Sequence, residues 1–299
     1  MVRRTLVFGL AFLGLIVILR LASGVISSQP ADGTAAPIPV PVVTPAFDCE
    51  ANTPIPQTFI DTWTTEFQPT NFNVTVIDLV EGCTYSIGDS AATFPAASTG
   101  KVIVATGVLE MVAAGTLDYA TVSADMELMI TQSDNSAADR LFKMIGKNEA
   151  VASIANRYGL VSTTTGGAWG TIMTNSSDQA MLLKQVVGIA SSPLPEAQRA
   201  TLRDLMTRVK PEQAWGAGSA GGIPELWTSA VKNGWYQSVA GDRPPVGLWR
   251  INTLGYVSDP SNQPRWIFTG YSNTWTTEER GISAWNAITA QLTSTLGIR

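Results

Sequence analysis

The chain has 299 residues, 45% of them hydrophobic and 14% charged, which suits one compact domain or two closely packed ones. With a net charge of −5, no basic surface indicates binding to nucleic acid, and we expect no nucleic-acid partner. With no histidine and only two cysteines, a Ser-His-Asp triad, a Cys-His pair and a Cys/His zinc site are all excluded. We therefore predict no metal and no cofactor, and a serine nucleophile would need Lys, Asp, Glu or Tyr as its base.

The first 27 residues have the pattern of a signal peptide or a signal anchor, because an Arg pair precedes an apolar run up to Leu19. Arg20 makes this run short for a membrane span, and cleavage and anchoring both remain open. Residues 28–47 are rich in Pro and Ala and predict a linker. We expect an exported protein, extracellular or in the cell envelope, that contacts a membrane only if this segment is uncleaved. No cysteine lies near residue 25, so a lipid-anchored cysteine is not expected.

The two cysteines, Cys49 and Cys83, both follow the linker. Export would place them in an oxidising compartment, where a disulfide between them is the simple prediction. Two unpaired thiols are the alternative.

The folded part, residues 48–299, begins with a predicted helix over 56–66 and two strands over 73–80 and 83–88, where β-branched residues are frequent. Apolar residues from Val102 to Val112 recur at helical spacing, and Gly115 stands where a helix would end. Further segments with helical patterns follow at 124–131, 136–146, 149–159, 178–190 and 196–209, then strands at 229–236, 248–258 and 265–272 and a closing helix at 278–297. This order predicts an α+β fold, in which a helical domain at about 100–222 interrupts a sheet.

Two apparent nucleotide motifs fail on their context. A phosphate loop ending at Lys101 would need Gly at Pro95 and Ser or Thr at Val102. The stretch Gly216–Gly221 matches GxGxxG, but no strand precedes it, and Pro224 prevents a helix after it. We interpret it as a flexible loop.

Ser98 and Lys101 are three residues apart at the start of the predicted helix, so their side chains share one face. A lysine among apolar neighbours has a lowered pKa and can accept a proton from the hydroxyl. The helix N-terminus would also stabilise a developing oxyanion. A plain helix cap explains the same residues equally well.

Two later motifs favour the interpretation of Ser98 as a nucleophile over that of a helix cap. The sequence Ser133-Asp134-Asn135 lies at a helix junction, and Lys232-Asn233-Gly234 lies on a late strand. In that order, SxxK, SDN and KNG resemble the motifs of the serine β-lactamase and penicillin-binding-protein superfamily, and the residues before Lys101 resemble the class A nucleophile region. The resemblance runs from about Asn73 to Gly297. It implies an antiparallel sheet with flanking terminal helices and an inserted all-helical domain.

The resemblance also implies a role for each matching residue. Ser98 would be the acylated nucleophile, Lys101 its general base and Ser133 the proton donor to the leaving nitrogen. Substrate would contact Asn135 and the strand residues Lys232, Asn233, Gly234 and Trp235. Lys232 would bind the substrate carboxylate, and the N–H groups of Trp235 and the nucleophile would form the oxyanion hole.

The sequence departs from the class A pattern at two points. Asn233 replaces the family's Thr or Ser, whose hydroxyl helps to bind a carboxylate. No Glu occurs between Glu149 and Glu196, so the Ω loop lacks the base that activates the deacylating water; Asp178 belongs to the following helix. Trp215 and Trp235 are expected to line the cleft.

The resulting hypothesis is an exported, monomeric serine acyl-enzyme hydrolase that acts on β-lactam or cell-wall peptide amide bonds and deacylates slowly. The alternative is a catalytically weak or inactive binding protein of the cell envelope with the same fold.

Overall fold

A five-stranded antiparallel sheet organises the computed structural model, which describes residues 47–218, 222–242 and 245–297. The strands are β1 (Phe72–Asp78), β2 (Thr84–Gly88), β3 (Phe94–Pro95), β4 (Met173–Thr174), β5 (Thr228–Gln237), β6 (Trp249–Ser258) and β7 (Pro264–Ser272). The order in the sheet is β2-β1-β7-β6-β5, so strands from both ends of the folded part build one sheet. A second pairing joins the two short strands β3 and β4.

Most helices lie between β2 and β5 in the chain, and the first and last helices flank the sheet. The α-helices are α1 (Gln57–Phe67), α2 (Lys101–Ala113), α3 (Ser123–Thr131), α4 (Asn135–Ile145), α5 (Lys147–Arg157), α6 (Ser176–Val186), α7 (Glu196–Thr207) and α8 (Glu278–Leu296). Short 3₁₀ turns in the described part of the chain occupy Ala97–Gly100, Tyr119–Thr121, Trp169–Thr171 and Pro211–Gln213. The predicted α+β class and the antiparallel sheet with flanking helices are confirmed.

Two hydrophobic clusters form the core. One surrounds α2, whose residues from Lys101 to Leu109 are all buried, so this helix is apolar on every side. The other contains the side chains of Trp63, Trp275 and Trp285, which contact one another between the sheet and the terminal helices. The indole N–H groups of Trp63 and Trp285 donate to backbone carbonyls, so these buried rings leave no polar atom unpaired.

Most predicted elements coincide with observed ones, and two differences have local causes. The helix predicted over 178–190 ends at Val186, because Gly188 adopts φ +86° and its N–H bonds to the carbonyl of Gln185. The pairing of β3 with β4 was not predicted, because two-residue strands carry no sequence period.

Near its N-terminal end, the described chain is cross-linked: Cys49 and Cys83 form the predicted disulfide. The predicted signal segment and most of the linker lie outside the described residues. Among the residues that are described, no helix has the length and apolar character needed to cross a membrane.

Candidate active site

Ser98 lies in the 3₁₀ turn that leads into α2, and its side chain is half-buried. The preceding residue, Ala97, has φ +50°, a left-handed conformation that is unfavourable for a residue with a Cβ. The turn is held from the sheet: Asn252 Nδ2 on β6 donates to Pro95 O at 2.8 Å, and the Tyr271 hydroxyl on β7 lies 2.8 Å from Thr99 Oγ1. The nucleophile candidate is therefore fixed by the sheet as well as by its helix.

Lys101, the first residue of α2, is completely buried and surrounded by oxygen atoms. Its Nζ lies 3.0 Å from Ser98 Oγ, 2.6 Å from Ser133 O, 3.1 Å from Ser133 Oγ and 2.8 Å from Asn135 Oδ1. The carbonyl and amide oxygens can only accept, so they require two of the amine's N–H groups. The remaining position of the nitrogen faces the two hydroxyls, where a neutral amine carries its lone pair.

Burial lowers the pKa of Lys101 to about 7, and the charges of Asp134 and Asp139 oppose this shift. The lysine is thus poised between its two protonation states near neutral pH, as a general base requires. Apolar neighbours were predicted around Lys101, but the atoms nearest to its Nζ are oxygens of Ser98, Ser133 and Asn135. No carboxylate is among the hydrogen-bond partners of Ser98 or Lys101 within residues 47–218, 222–242 and 245–297.

Ser133 connects the two buried lysines. Its hydroxyl lies 3.1 Å from Lys101 Nζ and 2.8 Å from Nζ of Lys232 on β5. Ser133 has φ +56°, and Asp134 next to it caps α4 by accepting from the N–H of Ala137. Burial and the nearby Lys101 hold the pKa of Lys232 well below its usual range. The site is therefore an amine–hydroxyl–amine chain, along which a proton can move.

Strand β5 lies against the Ser98 turn. A Cβ placed on Gly234 would lie 2.5 Å from Ser98 N and 2.7 Å from Thr99 N, so only glycine permits this approach. Trp235 follows and is half-buried, while Asn135 is exposed at the start of α4. The structure thus brings all the predicted residues of the three motifs to one place, at the junction of the helices and the sheet.

Asn233 has a different environment from the one predicted. Its side chain is buried, and Nδ2 donates to Gln213 O at 2.7 Å and to Trp215 O at 2.9 Å. The amide therefore fixes the 213–215 segment, and both its N–H groups are used there rather than on a ligand. Trp215 is also buried, with its ring edge-on to Trp235 at 5.8 Å between centroids. Trp215 supports Trp235 and presents almost no surface to the cleft.

The loop between α5 and α6 contributes Trp169, which the motif analysis assigned no role. Its ring centroid lies 4.3 Å from Lys101 Nζ, and its Nε1 donates to Asp139 Oδ1 at 2.7 Å. The base of this loop is tied to α6 by Asp178, which accepts from Ser162 N at 2.8 Å and from Thr163 Oγ1 at 2.7 Å. Asp178 is thus a structural anchor of the loop.

Replacing Asp178 with alanine will leave the Ser162 N–H and the Thr163 hydroxyl without this acceptor. We expect a loss of about 1–3 kcal/mol in the free energy of unfolding, the cost of unsatisfied buried polar groups. Urea unfolding of wild type, Asp178→Ala and the exposed control Asp204→Ala measures the difference. Equal stability of wild type and Asp178→Ala would contradict the anchoring role.

The comparisons with known proteins agree with this geometry. A sequence profile of the beta-lactamase enzyme family matches residues 119–293, a range that contains Ser133 and Lys232 and begins after Lys101. The chain belongs to this family.

Solved structures with the same fold include β-lactamases from Sphaerobacter thermophilus and Chitinophaga pinensis and an ancestral class A β-lactamase. Their identities to this chain are 15%, 17% and 20%, with TM-scores of 0.67, 0.66 and 0.63. The alignments cover 82%, 79% and 79% of this chain and 99%, 97% and 97% of those chains. At such identities the likeness establishes the fold, which is that of the serine β-lactamase-like superfamily.

The curated relatives match a smaller share of this chain than the solved structures do. Proteins of Mycobacterium tuberculosis and Mycobacterium bovis that are named as a lipoprotein, LppW, are 28% identical over 172 residues. The match covers 54% of this chain, and the chain spans about half the length, 53%, of these curated relatives.

The residues that hold the site in place were not predicted from the motifs. Asn252 lies in the middle of a strand, where an amide is unfavourable, and this was a usable sign of a special role. Tyr271 and Thr99 had no such sign, because their contact joins residues 172 positions apart. Trp169 likewise meets Lys101 only through the fold.

Proposed function

We propose that this protein is a serine hydrolase that forms an acyl-enzyme on Ser98 with a β-lactam or a cell-wall peptide, and that it deacylates slowly. The observation that carries the proposal is the contact of Ser98 Oγ with a buried amine, Lys101 Nζ, at 3.0 Å. A neutral amine at this position takes the hydroxyl proton while Oγ attacks the carbonyl carbon of the substrate.

The other contacts support the later parts of the step. Strand β5 passes close to the Ser98 turn at Gly234, and the N–H groups of Ser98 and Trp235 would stabilise the oxyanion. Ser133, between two amines, would deliver a proton to the leaving nitrogen as the amide bond breaks. Lys232 would bind a carboxylate of the substrate, because β5 places this buried amine beside Ser133 and a carboxylate next to it would favour the charged form.

Deacylation needs a water molecule and a base that activates it. The loop that carries Trp169 contains no glutamate, and among the residues described no carboxylate forms a hydrogen bond with Lys101. We infer that the ester on Ser98 is long-lived. Export to the cell envelope belongs to the same proposal, since the first residues have a signal pattern and the mycobacterial relatives are named as a lipoprotein.

Intact mass after incubation with benzylpenicillin tests this function. We expect wild type to gain one persistent adduct and Ser98→Ala to gain none. Rapid loss of the antibiotic without an adduct would contradict slow deacylation. No adduct and no turnover, with simple esters and cell-wall peptides also unchanged, would reject the enzyme and favour a binding protein of the same fold.

A further inference from the structure

A tryptophan covers the side of the catalytic lysine that is not occupied by the three motifs. Trp169 comes from the loop between α5 and α6, and its ring is centred 4.3 Å from Lys101 Nζ. The indole is half-buried, whereas Lys101 beneath it has no exposed surface. The ring is therefore part of the barrier between this amine and solvent.

Two contacts hold the ring in place. Its Nε1 donates to Asp139 Oδ1 on α4 at 2.7 Å, which fixes its outer edge. The backbone of Trp169 packs closely against the Ser98 turn: a Cβ added at Gly100 would lie only 2.4 Å from Trp169 O. A ring that is tethered at both ends holds its position, so it excludes water more reliably than a free surface side chain.

The contacts and the lowered pKa of Lys101 are consistent with an indole that shields it from water. Its four oxygen neighbours all lie on the side of Ser98, Ser133 and Asn135, and the indole occupies a further side. Desolvation is the largest cause that lowers the pKa of this lysine, and a bulky aromatic cover contributes to desolvation. A tryptophan face also attracts a cation, which keeps the ring over the amine in its charged state.

We propose that Trp169 is a positioning residue that keeps bulk water away from Lys101 and from the ester formed on Ser98. This inference rests on the proposed function for its effect on the ester, while its effect on Lys101 is independent of it. A water molecule on this side would lose a proton to Lys101 and attack the ester carbonyl, releasing Ser98 Oγ with that proton. The indole occupies the place from which such a water would act.

Carbamylation by potassium cyanate tests access to Lys101 without any acyl substrate. The neutral amine adds to isocyanic acid, and peptide mass mapping gives the rate at Lys101 between pH 6 and pH 10. We expect the plateau rate, which reports access of the reagent to Lys101, to be several-fold higher in Trp169→Ala than in wild type, because the covering ring is absent. The midpoint of the pH profile should move up, because desolvation is the largest cause of the lowered pKa of Lys101 and the regained hydration of the ammonium outweighs the lost contact with the indole.

Two further variants distinguish the loss of the indole over Lys101 from general damage to the fold. Trp169→Phe keeps a ring over the lysine and should react like wild type. Asp139→Ala removes the tether from an exposed position together with a charge that raises the pKa of Lys101, and it should react faster than wild type. An unchanged plateau rate in both Trp169→Ala and Asp139→Ala would overturn the inference, whether or not Ser98 can be acylated.

The lifetime of the benzylpenicillin adduct then tests the effect on the ester. We expect the adduct to disappear several-fold faster in Trp169→Ala than in wild type or Trp169→Phe, because water then reaches the ester from the side that the indole occupies. Equal lifetimes despite faster carbamylation would overturn the exclusion of water from the ester. Faster carbamylation of Trp169→Ala, together with no benzylpenicillin adduct on wild type, would reject the proposed function. It would still support the shielding of Lys101 by Trp169.

Discussion

Replacing Lys101 with methionine will slow acylation of Ser98 by about 10²- to 10⁴-fold, the range that general base catalysis contributes. Methionine retains most of the volume and the apolar stem of the lysine, but it cannot accept the hydroxyl proton. Since no histidine exists in the chain and no carboxylate contacts Ser98 in the described part, the variant has no substitute base at this distance. Adduct formation followed by mass spectrometry gives the rate.

The pH dependence of the same rate identifies the base. The pKa of Lys101 is lowered to about 7, so the neutral amine dominates above this pH and the ammonium below it. Wild-type acylation should rise with increasing pH through about 7 and then level off, and Lys101→Met should lack this rise. The exposed control Lys143→Met should behave like wild type. A rise near neutral pH that persists in Lys101→Met would assign the base to another group.

Replacing Gly234 with alanine will reduce acylation by about 10²- to 10³-fold, the effect of losing one oxyanion-hole donor. The added Cβ would lie 2.5 Å from Ser98 N and 2.9 Å from Ala96 O, and both are backbone atoms that cannot rotate away. Strand β5 and the Ser98 turn must therefore separate, which displaces the N–H groups of Ser98 and Trp235 from each other. Overpacking should also lower the free energy of unfolding by about 1–3 kcal/mol.

Gly170→Ala is the matched control for this change. Its added Cβ would have Ala97 Cα, at 3.9 Å, as its nearest neighbour, so it adds a methyl group near the site without a collision. Acylation rates and urea unfolding of the two variants should therefore differ. Wild-type acylation by Gly234→Ala would show that the close approach of β5 has no part in the reaction.

The sheet and the three motifs were predictable from the sequence for physical reasons. β-branched runs, such as the one before Asp78, show strand character locally. Helix α2 was recognisable because its apolar residues recur at helical spacing. The motifs were readable because Ser98 and Lys101 are one turn apart. Their joint position followed from the order of the elements, since motifs on a helix start, a helix junction and a strand meet at one edge of the sheet.

Other features of the site depend on contacts between distant segments. The sequence gives no sign that Trp169 lies over Lys101, because 68 positions separate them and no local period links them. The direction of the Asn233 amide depends on carbonyls of the 213–215 segment, whose path only the fold determines. The extent to which Lys101 contacts polar groups was also unpredictable, since Ser133 and Asn135 approach it from another helix.

The disulfide between Cys49 and Cys83 has a mechanical consequence. Tension applied to the chain ahead of Cys49 passes through the sulfur atoms to Cys83, next to the start of β2. Helix α1 and strand β1 lie inside the covalent loop that the bond closes, so a pull from that side cannot unravel them in sequence. A load would instead enter the domain at the β1–β2 turn, on the opposite edge of the sheet from β5 and the Ser98 turn.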